Sequence, residues 1–270
     1  MTISRTIAAL RAALAPVRAG RRVGLVPTMG ALHGGHEALV RRARAECDVV
    51  VASVFVNPAQ FGAGEDLDAY PQDEHGDIRT AEAWGIDHLF VPSAEEMYPD
   101  GFQTWVDVER IAEGYEGSAR PGHFRGVATV CLKLFNIVQP QSAYFGQKDA
   151  QQAALVERMV RDLHLDLEIR LVATARDEDG LALSSRNAYL TAGEREAARA
   201  LPRALEAGAA AHRARGDAAA AARAALAEEP GLAPEYVHVA RLNGRVYLLA
   251  AVRAGGTRLI DNVVLEGVVE

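Results

Sequence analysis

The fold of this chain is decided by the stretch Asp48-Val-Val-Val-Ala-Ser-Val-Phe-Val56. Its many β-branched residues favour a strand, and it has too few polar residues to form a sheet with one face in water. Strands that are apolar on both faces lie inside parallel sheets, where helices cover each side. We therefore predict a central strand at residues 48–56.

Strands and helices alternate before and after this run. Hydrophobic periodicity predicts further strands at residues 22–26, 88–91, 143–145 and 167–172. Helices are predicted at residues 35–45, 73–84, 126–138 and 150–163, and the first ten residues are predicted as a capped amphipathic helix. The alternation predicts an α/β fold with a mostly parallel sheet and helices on both of its faces.

The alternation stops after about residue 174. Residues 191–228 are rich in Ala, Arg and Glu and predict helices that break near Gly216, while residues 236–240 and 258–264 predict strands. Helices followed by strands are typical of a small α+β domain. We therefore predict two domains, residues 1–174 and residues 175–270.

Composition excludes several classes of function. A chain of 270 residues that is 49% hydrophobic can bury a large core, and its formal charge of -7 argues against sequence-independent nucleic-acid binding. No apolar run approaches the roughly 20 residues that span a bilayer. A disulfide between Cys47 and Cys131 is conceivable, but two isolated cysteines more often act as small buried hydrophobes in a reducing compartment. We predict a cytoplasmic protein without a membrane or nucleic-acid partner.

Lysine is rare in this chain. Of the 29 basic side chains, 27 are arginine, and the two lysines are Lys133 and Lys148. A lysine retained among arginines is a candidate for a site that needs a compact ammonium group. Lys148 lies in a glycine-containing stretch after an apolar run, where it could meet a nucleotide phosphate. The alternative is that both lysines reflect composition only.

The loop after the first predicted strand reads Pro27-Thr-Met-Gly-Ala-Leu-His-Gly-Gly-His36. It matches neither the dinucleotide-binding nor the P-loop motif, but it brings two histidines to the start of a helix. Backbone N–H groups at a helix start favour a bound anion, and imidazole donors add to that. We predict a nucleotide phosphate site. His33 and His36 could instead only cap the helix, and a zinc site would need further ligands that are not evident nearby.

Six blocks of sequence together carry a family resemblance. They occur in one order: Pro27-Thr-Met-Gly-Ala-Leu-His-Gly-Gly-His36, Val56-Asn-Pro-Ala-Gln-Phe61, Met97-Tyr-Pro99, His123-Phe-Arg-Gly-Val127, Phe145-Gly-Gln-Lys-Asp149 and Asp179-Gly-Leu-Ala-Leu-Ser-Ser-Arg-Asn187. In this order they resemble the pantothenate synthetases, which are ATP-dependent pantoate and beta-alanine ligases. One block alone would be weak evidence, but six in register make coincidence implausible.

The resemblance implies a fold and a reaction. The fold is a Rossmann-like parallel sheet domain of the H-x-G-H nucleotidyl-transfer type, followed by a smaller α+β lid domain, usually in a homodimer. The reaction condenses (R)-pantoate with beta-alanine through a pantoyl adenylate, using ATP and Mg²⁺. The implied partners are therefore small molecules.

The resemblance also implies a set of site residues. Those matched to ATP are Met29, Gly30, Ala31, Leu32, His33, Gly34, Gly35, His36, Gly146, Gln147, Lys148, Asp149, Ala175, Leu183, Ser184, Ser185 and Arg186. Among them His36 is usually assigned proton donation, His33 lies beside the phosphates with Lys148, and Ala175 meets the adenine. Gln60 and Gln152 match the pantoate and beta-alanine ligands. Without the resemblance, Gln60 would be interpreted as an exposed loop residue.

Other positions are more weakly assigned. Asn57, Tyr70 and Arg120 match positions that shape the pantoate pocket. Asp73 and Asp77 lie four residues apart on a predicted helix and could face one site, but we interpret them as a solvated surface pair. The magnesium ligands are left unassigned. The chain departs from the usual family pattern at Ala150, where an aromatic residue is common, at Gln147, where glutamate is common, and at Ala173, where proline is common.

Two other functions remain open from the residues. One is a different H-x-G-H nucleotidylyltransferase, and the other is a nucleotide-binding regulatory module without turnover. Gln60 and Gln152 argue against both, because a neutral amide pair suits a small hydroxy acid.

Overall fold

The computed structural model of the protein describes residues 1–269. Its strands are β1 Thr2–Ser4, β2 Val23–Thr28, β3 Val49–Val54, β4 His88–Phe90, β5 Ser142–Gly146, β6 Glu168–Val172, β7 Leu232–Leu242, β8 Arg245–Ala254 and β9 Thr257–Glu266. Its helices are α1 Ile7–Leu14, α2 Gly34–Glu46, α3 Glu74–Ala83, α4 Ala94–Met97, α5 Tyr115–Ala119, α6 His123–Val138, α7 Ala150–Asp162, α8 Ala192–Ala198, α9 Ala200–Arg213 and α10 Ala218–Ala227. Short 3-10 turns occupy Pro58–Gln60, Gln147–Asp149 and Ser185–Tyr189.

The chain forms two compact units. Unit 1 comprises Met1–Phe145 and Gln151–Val172, and unit 2 comprises Gly146–Ala150 and Ala173–Glu270. Cys47 and Cys131 are both free and buried. Among the described residues, no helix is both long enough and apolar enough to cross a membrane.

Unit 1 contains a six-stranded sheet with the order β1-β4-β3-β2-β5-β6. Strand β3 pairs in parallel with β2 on one side and β4 on the other, and its residues Val50 and Val51 have no exposed surface. The stretch that the sequence marks as a central strand is therefore at the centre, because its apolar side chains are buried by the helices on both faces. The predicted α/β fold is confirmed.

The N-terminus differs from the prediction. Helix α1 begins only at Ile7, where the Thr6 side chain accepts a hydrogen bond from the Ala9 N–H, and the residues before it form strand β1. This strand pairs in parallel with β4, and Thr2 is the partner of His88. The prediction of a helix from the first residue was wrong because β1 is specified by a strand more than eighty residues away.

Unit 2 contains the antiparallel sheet β7-β8-β9 and the helices α8, α9 and α10. The helices pack on one face of the sheet, where Leu201, Leu205 and Leu248 lie in one buried cluster. The predicted break near Gly216 falls between α9 and α10. Strand β8 was missed, because an apolar run containing several alanines does not distinguish a strand from a buried helix.

Candidate active site

The first candidate loop follows strand β2 and runs into helix α2. The Thr28 hydroxyl donates to the Ser53 carbonyl oxygen at 2.6 Å, and it accepts from the Gly30 N–H at 3.2 Å. Gly30 and Ala31 both have positive φ angles, of 87° and 50°. The left-handed turn lets the backbone reverse directly after the strand, and glycine adopts it without steric cost.

Asp77 of helix α3 holds this loop by hydrogen bonds to its backbone. Its two carboxylate oxygens accept from the Ala31 N–H at 3.0 Å and the Leu32 N–H at 2.8 Å. The side chain is only 5% exposed, so the interpretation of Asp77 as a solvated carboxylate was wrong. Burial raises the pKa of Asp77, while the two N–H donors oppose that shift. Asp73, by contrast, is exposed and caps α3 by accepting from Gly76 N–H.

His33 and His36 cap helix α2 reciprocally. The His33 Nδ1 accepts from the Gly35 N–H at 3.1 Å, and the His36 Nδ1 accepts from the His33 N–H at 3.3 Å. The ring centroids lie 4.2 Å apart. Because both Nδ1 atoms act as acceptors, each neutral ring carries its proton on Nε2. Both histidines therefore cap helix α2, and the caps orient two imidazole N–H donors at the start of the helix.

Gln60 lies in the 3-10 turn Pro58–Gln60, which follows strand β3. Its side chain is 8% exposed, accepts from Asn57 Nδ2 at 3.0 Å and donates to Met29 Sδ at 3.1 Å. The structure therefore brings together two of the predicted site residues, Met29 and Gln60. The interpretation of Gln60 as an exposed loop residue does not hold.

The backbone of Gln60 is also fixed. Its carbonyl oxygen lies 2.9 Å from His123 Nδ1, and Arg120 Nη1 lies 3.1 Å from His123 Nε2. Arg120 also forms an ion pair with Glu65 at 2.6 Å, which lowers the pKa of the Glu65 carboxyl. Burial is the main reason that the pKa of His123 is lowered to about 4. The ring is therefore neutral near neutral pH.

Helix α6 packs closely against this turn. A Cβ atom at Gly126 would lie 2.2 Å from the Ala59 carbonyl oxygen, and Asn57 Nδ2 donates to the Gly126 carbonyl oxygen at 3.2 Å. The Asn57 Oδ1 in turn accepts from the Tyr98 hydroxyl at 2.8 Å. Glycine is required at position 126 because the two backbones are in contact.

The remaining glutamine of the predicted pair lies on helix α7 of unit 1. Gln152 is half-buried on its first turn. Its neighbour Gln151 is 4% exposed, accepts from the Glu116 N–H at 3.0 Å and donates to the Ile111 carbonyl oxygen at 2.8 Å. The two adjacent glutamines thus differ in burial and in role, because the side chain of Gln151 holds the 111–116 segment by hydrogen bonds.

Lys133 packs against two aromatic rings in unit 1. Its Nζ lies 4.6 Å from the ring centroid of Phe102 and 5.5 Å from that of Tyr98. Partial burial lowers the pKa of Lys133. A cation above aromatic faces is a common packing arrangement, so this lysine needs no phosphate to explain it.

Unit 2 contains the other predicted nucleotide segments. Lys148 lies in the 3-10 turn Gln147–Asp149, with 20% of its side chain exposed and its Nζ 3.6 Å from Asp149 Oδ1. The turn contacts strand β9, where Asn262 bonds with the Gln147 side chain at 3.1 Å. The third predicted nucleotide segment comprises Ala175 and residues 183–186, and within it the Leu183 N–H donates to the Ala175 carbonyl oxygen at 2.9 Å.

The residues of the third segment begin a short 3-10 turn. Ser184 Oγ accepts from the Arg186 N–H at 3.3 Å and so caps the turn Ser185–Tyr189. Asn187 Nδ2 donates to the Ala182 carbonyl oxygen at 3.0 Å. Two hydroxyls and a guanidinium group are thereby presented on consecutive residues, an arrangement suited to an anion.

The described residues contain no group of three His, Cys, Asp or Glu side chains that could hold a metal ion. A protein-built metal cage is therefore absent from residues 1–269. Magnesium commonly binds to nucleotide phosphates and water with few carboxylates.

Comparison with known proteins assigns the family. The family model for pantoate-beta-alanine ligases matches residues 2–264. The chain belongs to the pantoate-beta-alanine ligase family. The resemblance seen in the sequence is thus confirmed, and the protein is a member of an enzyme family of ligases.

Individual relatives agree with this assignment. The chain is 51% identical to the pantothenate synthetase of Moorella thermoacetica, over 98% of this chain and 99% of the relative. It is 53% identical to that of Roseiflexus castenholzii, over 98% of this chain and all of the relative.

Solved structures of the family match both units. The pantothenate synthetase of Thermus thermophilus superposes with a TM-score of 0.94 at 47% identity, covering 99% of this chain and 100% of that one. The Francisella tularensis pantoate-beta-alanine ligase, complexed with beta-gamma ATP and beta-alanine, gives 0.83 at 35% identity with full coverage of both chains.

Within this family member, sequence reasoning missed three buried polar residues that support the candidate site: Asp77, Asp261 and Asn262. One signal could have identified Asp77. It lies four residues before Ala81, so helical spacing puts it on the same buried face of α3. A carboxylate on an apolar face needs partners, which the loop N–H groups supply.

Proposed function

We propose that this protein condenses (R)-pantoate with beta-alanine at the expense of ATP, releasing AMP and pyrophosphate. The product is pantothenate, the precursor of coenzyme A. The observation that carries the proposal is the family match, which extends over both units. The Francisella tularensis relative, complexed with beta-gamma ATP and beta-alanine, supports two of the three substrates.

The first step activates the acid. A carboxylate oxygen of pantoate attacks the α-phosphorus of Mg-ATP, the bond to the bridging oxygen breaks, and pyrophosphate leaves pantoyl adenylate behind. Negative charge builds on the α-phosphate and the bridging oxygen, where positioned donors and cations stabilise it. We assign this role to the Nε2–H groups of His33 and His36 and to the ammonium group of Lys148, with His36 as the proton donor.

The second step forms the amide. The free amine of beta-alanine attacks the acyl carbon of the adenylate, loses a proton as the C–N bond forms, and expels AMP. A carboxylate is a poor electrophile, and conversion to the mixed anhydride supplies a good leaving group. The protein's contribution to both steps is mainly position and charge neutralisation, because no covalent nucleophile is needed.

The nucleotide would be bound by three segments. They are the loop Met29, Gly30, Ala31, Leu32, His33, Gly34, Gly35 and His36, the turn Gly146, Gln147, Lys148 and Asp149, and the third segment Ala175, Leu183, Ser184, Ser185 and Arg186. In this assignment Asp149 suits the ribose hydroxyls, and the backbone of Ala175 meets the adenine. The first loop is supported by the hydrogen bonds that Asp77 accepts from it.

Pantoate would be held by Gln60 and Gln152. An amide both donates and accepts, so each can bond the hydroxyl or the carboxylate of pantoate without blunting the nucleophile with a positive charge. The burial of Gln60 and its bonds to Asn57 and Met29 support this assignment, because they fix the side chain before any substrate arrives. Tyr70 and Arg120 would shape the same pocket.

Four further expectations complete the proposal. Magnesium would enter as part of the Mg-ATP substrate, the enzyme would act as a homodimer in the cytoplasm, and residues 175–270 would form a lid domain after residues 1–174. A lid is chemically useful because the adenylate must be shielded from water.

The deciding experiment measures AMP release with ATP, Mg²⁺, D-pantoate and beta-alanine, and omits each component in turn. We expect AMP only in the complete mixture, with pyrophosphate released when pantoate is present without beta-alanine. AMP formation that does not depend on pantoate would contradict the proposal. Binding of ATP without any turnover would favour the regulatory module instead, and release of pyrophosphate with a different acceptor would favour another nucleotidylyltransferase.

A further inference from the structure

Strand β9 of unit 2 carries two adjacent polar residues in a buried position. Asp261 is 2% exposed and Asn262 is 1% exposed. Buried polar groups destabilise a protein unless they are hydrogen-bonded, so the partners of this pair show what it holds in position.

The side chain of Asn262 holds the lysine turn. Its Nδ2 donates to the carbonyl oxygens of Gln147 and Lys148, each at 2.9 Å, and its Oδ1 accepts from Gln147 Nε2 at 3.1 Å. Both amide hydrogens and the amide oxygen therefore end on one turn of three residues. This turn belongs to unit 2, as do Gly146 and Ala150 on either side of it.

The side chain of Asp261 holds the beginning of the third segment. Its carboxylate accepts from Arg176 Nη1 at 2.6 Å and from Arg176 Nη2 at 3.1 Å, and it also accepts from the Asn262 N–H at 2.7 Å. Arg176 additionally donates to the Gly180 carbonyl oxygen at 3.1 Å. The fork of the guanidinium group fixes the strand-like pair of residues 176 and 182, which flanks Leu183.

One dipeptide thus bonds to two separate segments of the chain. The turn with Lys148 and the segment from Ala175 to Arg186 are connected through Asp261, Asn262 and the hydrogen bond between them. The connection is made entirely inside unit 2.

We propose that Asp261 and Asn262 are positioning residues that fix these two nucleotide segments relative to each other. The proposal rests on the proposed function, because that function assigns both segments to ATP. Asp261 and Asn262 act through the backbone of Lys148 and the side chain of Arg176. A misplacement of about 1 Å in a catalytic group can reduce the rate by roughly a hundredfold, so a rigid anchor between the segments has a direct chemical purpose.

The principal test is Asn262→Ala, with Leu259→Ala as a matched control on the same strand. Leu259 is 5% exposed and lies in the apolar cluster, so its truncation destabilises unit 2 without changing the anchor. We expect Asn262→Ala to weaken binding of the α,β-methylene analogue of ATP, which cannot be cleaved at the bond that the reaction breaks, by about tenfold in calorimetry. We also expect it to raise the KM for ATP without changing that for pantoate. Leu259→Ala should lower the Tm and leave both quantities within about twofold.

Two further, more conservative variants test the same contacts in case Asn262→Ala does not fold. Asn262→Asp keeps the size of the side chain but cannot donate to two carbonyl oxygens, so we expect binding of the ATP analogue to weaken by at least about tenfold. Arg176→Lys changes a side chain that is 33% exposed. It keeps the positive charge but removes the guanidinium fork, which bonds to Asp261 and to the Gly180 carbonyl oxygen. We expect it to weaken analogue binding by about threefold.

The outcomes separate this inference from the proposed function. Analogue binding within about twofold of wild type in all three variants would overturn the positioning role, as would equal weakening in Leu259→Ala. Wild-type protein that binds the analogue but does not need pantoate to release AMP would refute the proposed function alone, because the binding comparison still tests the anchor. Wild-type protein that does not bind the analogue would overturn both.

Discussion

His123 donates its Nδ1–H to the carbonyl oxygen of Gln60 at 2.9 Å. The direction of this bond follows from its neighbours. Arg120 Nη1 lies 3.1 Å from His123 Nε2 and can only donate, so Nε2 must accept, and the proton of the neutral ring is on Nδ1. A neutral, buried imidazole therefore fixes the backbone of the residue that we assign to pantoate.

We expect this histidine to make stability depend on pH. The folded pKa of His123 is about 4, whereas an unfolded histidine titrates at about 6.5. Because the folded pKa is lowered, the stabilising contribution is complete above about pH 6.5 and is lost as the pH falls towards about 4. Between about pH 7 and about pH 5, the unfolding free energy of wild type should fall by about 2 kcal/mol more than that of His123→Gln.

The measurement is urea unfolding of both proteins at each pH. Glu65, Glu116 and Arg120, the charged groups that act on His123, are present in both proteins, so their titration largely cancels in the comparison. Parallel pH dependences in wild type and His123→Gln would show that folding does not lower the pKa of His123.

Substitution of Asp77 should affect stability and ATP binding more than substitution of Asp73, the N-cap residue of the same helix. Asp77→Asn replaces one acceptor oxygen by an NH₂ group that faces a partly buried backbone N–H, at a cost of about 1–3 kcal/mol in unfolding free energy. Because the displaced loop includes Gly30 and Ala31, we also expect the KM for ATP to rise about tenfold. Initial rates and urea unfolding measure the two effects.

Asp73→Asn is the matched control for this prediction. Asp73 is exposed and caps the helix, and asparagine caps as well as aspartate does. This variant should resemble wild type in both measurements. If the two variants changed the KM for ATP equally, the effect could not be attributed to the loop contacts of Asp77.

Substitutions of the two adjacent glutamines of helix α7 should have different effects, one on pantoate binding and the other on protein stability. Gln152→Ala removes a half-buried side chain, and we expect a rise of at least about tenfold in the KM for pantoate with little change in Tm. Gln151→Ala leaves the Glu116 N–H and the Ile111 carbonyl oxygen without their partner, so it should lower the unfolding free energy by about 1–3 kcal/mol.

Thermal unfolding and pantoate titrations of the two variants decide this prediction. A pantoate KM that changes in Gln151→Ala but not in Gln152→Ala would reverse the assignment. An equal change in both would indicate that the helix end as a whole, and not one amide, contacts the acid.

Much of the fold can be predicted from the sequence, because local periodicity and burial agree in its central part. Val50 and Val51 point to opposite faces of β3, and a parallel sheet covered by helices on both sides buries them both. Strand β1 and the hydrogen-bond partners of Asp77 could not be predicted in the same way. Both depend on partners far away in the chain, His88 for β1 and Ala31 for Asp77, which periodicity does not encode.

The candidate site shows the same division. Resemblance assigned Gln60, the histidine loop and the turn with Lys148 to the site by their order along the chain, whereas the side chains that hold each of them in place are set by tertiary contacts. Asn262 is the clearest case, because its side chain donates hydrogen bonds to carbonyl oxygens of residues more than a hundred positions earlier in the sequence. Polar residues inside an otherwise apolar strand are the available signal, and they indicate a partner without identifying it.

The two lysines provide the last prediction, since their environments differ although their composition signal is identical. Lys148→Arg should slow adenylate formation by at least about tenfold, measured as pyrophosphate release in a single turnover with pantoate. A planar guanidinium group is larger than an ammonium group and cannot act as the same compact point charge. Lys133→Arg should stay within about twofold of wild type, because arginine also binds the faces of Phe102 and Tyr98. Equal tolerance at both positions would mean that Lys148, like Lys133, is retained for packing, and the charge on the α-phosphate would then have to be stabilised by His33, His36 and Arg186.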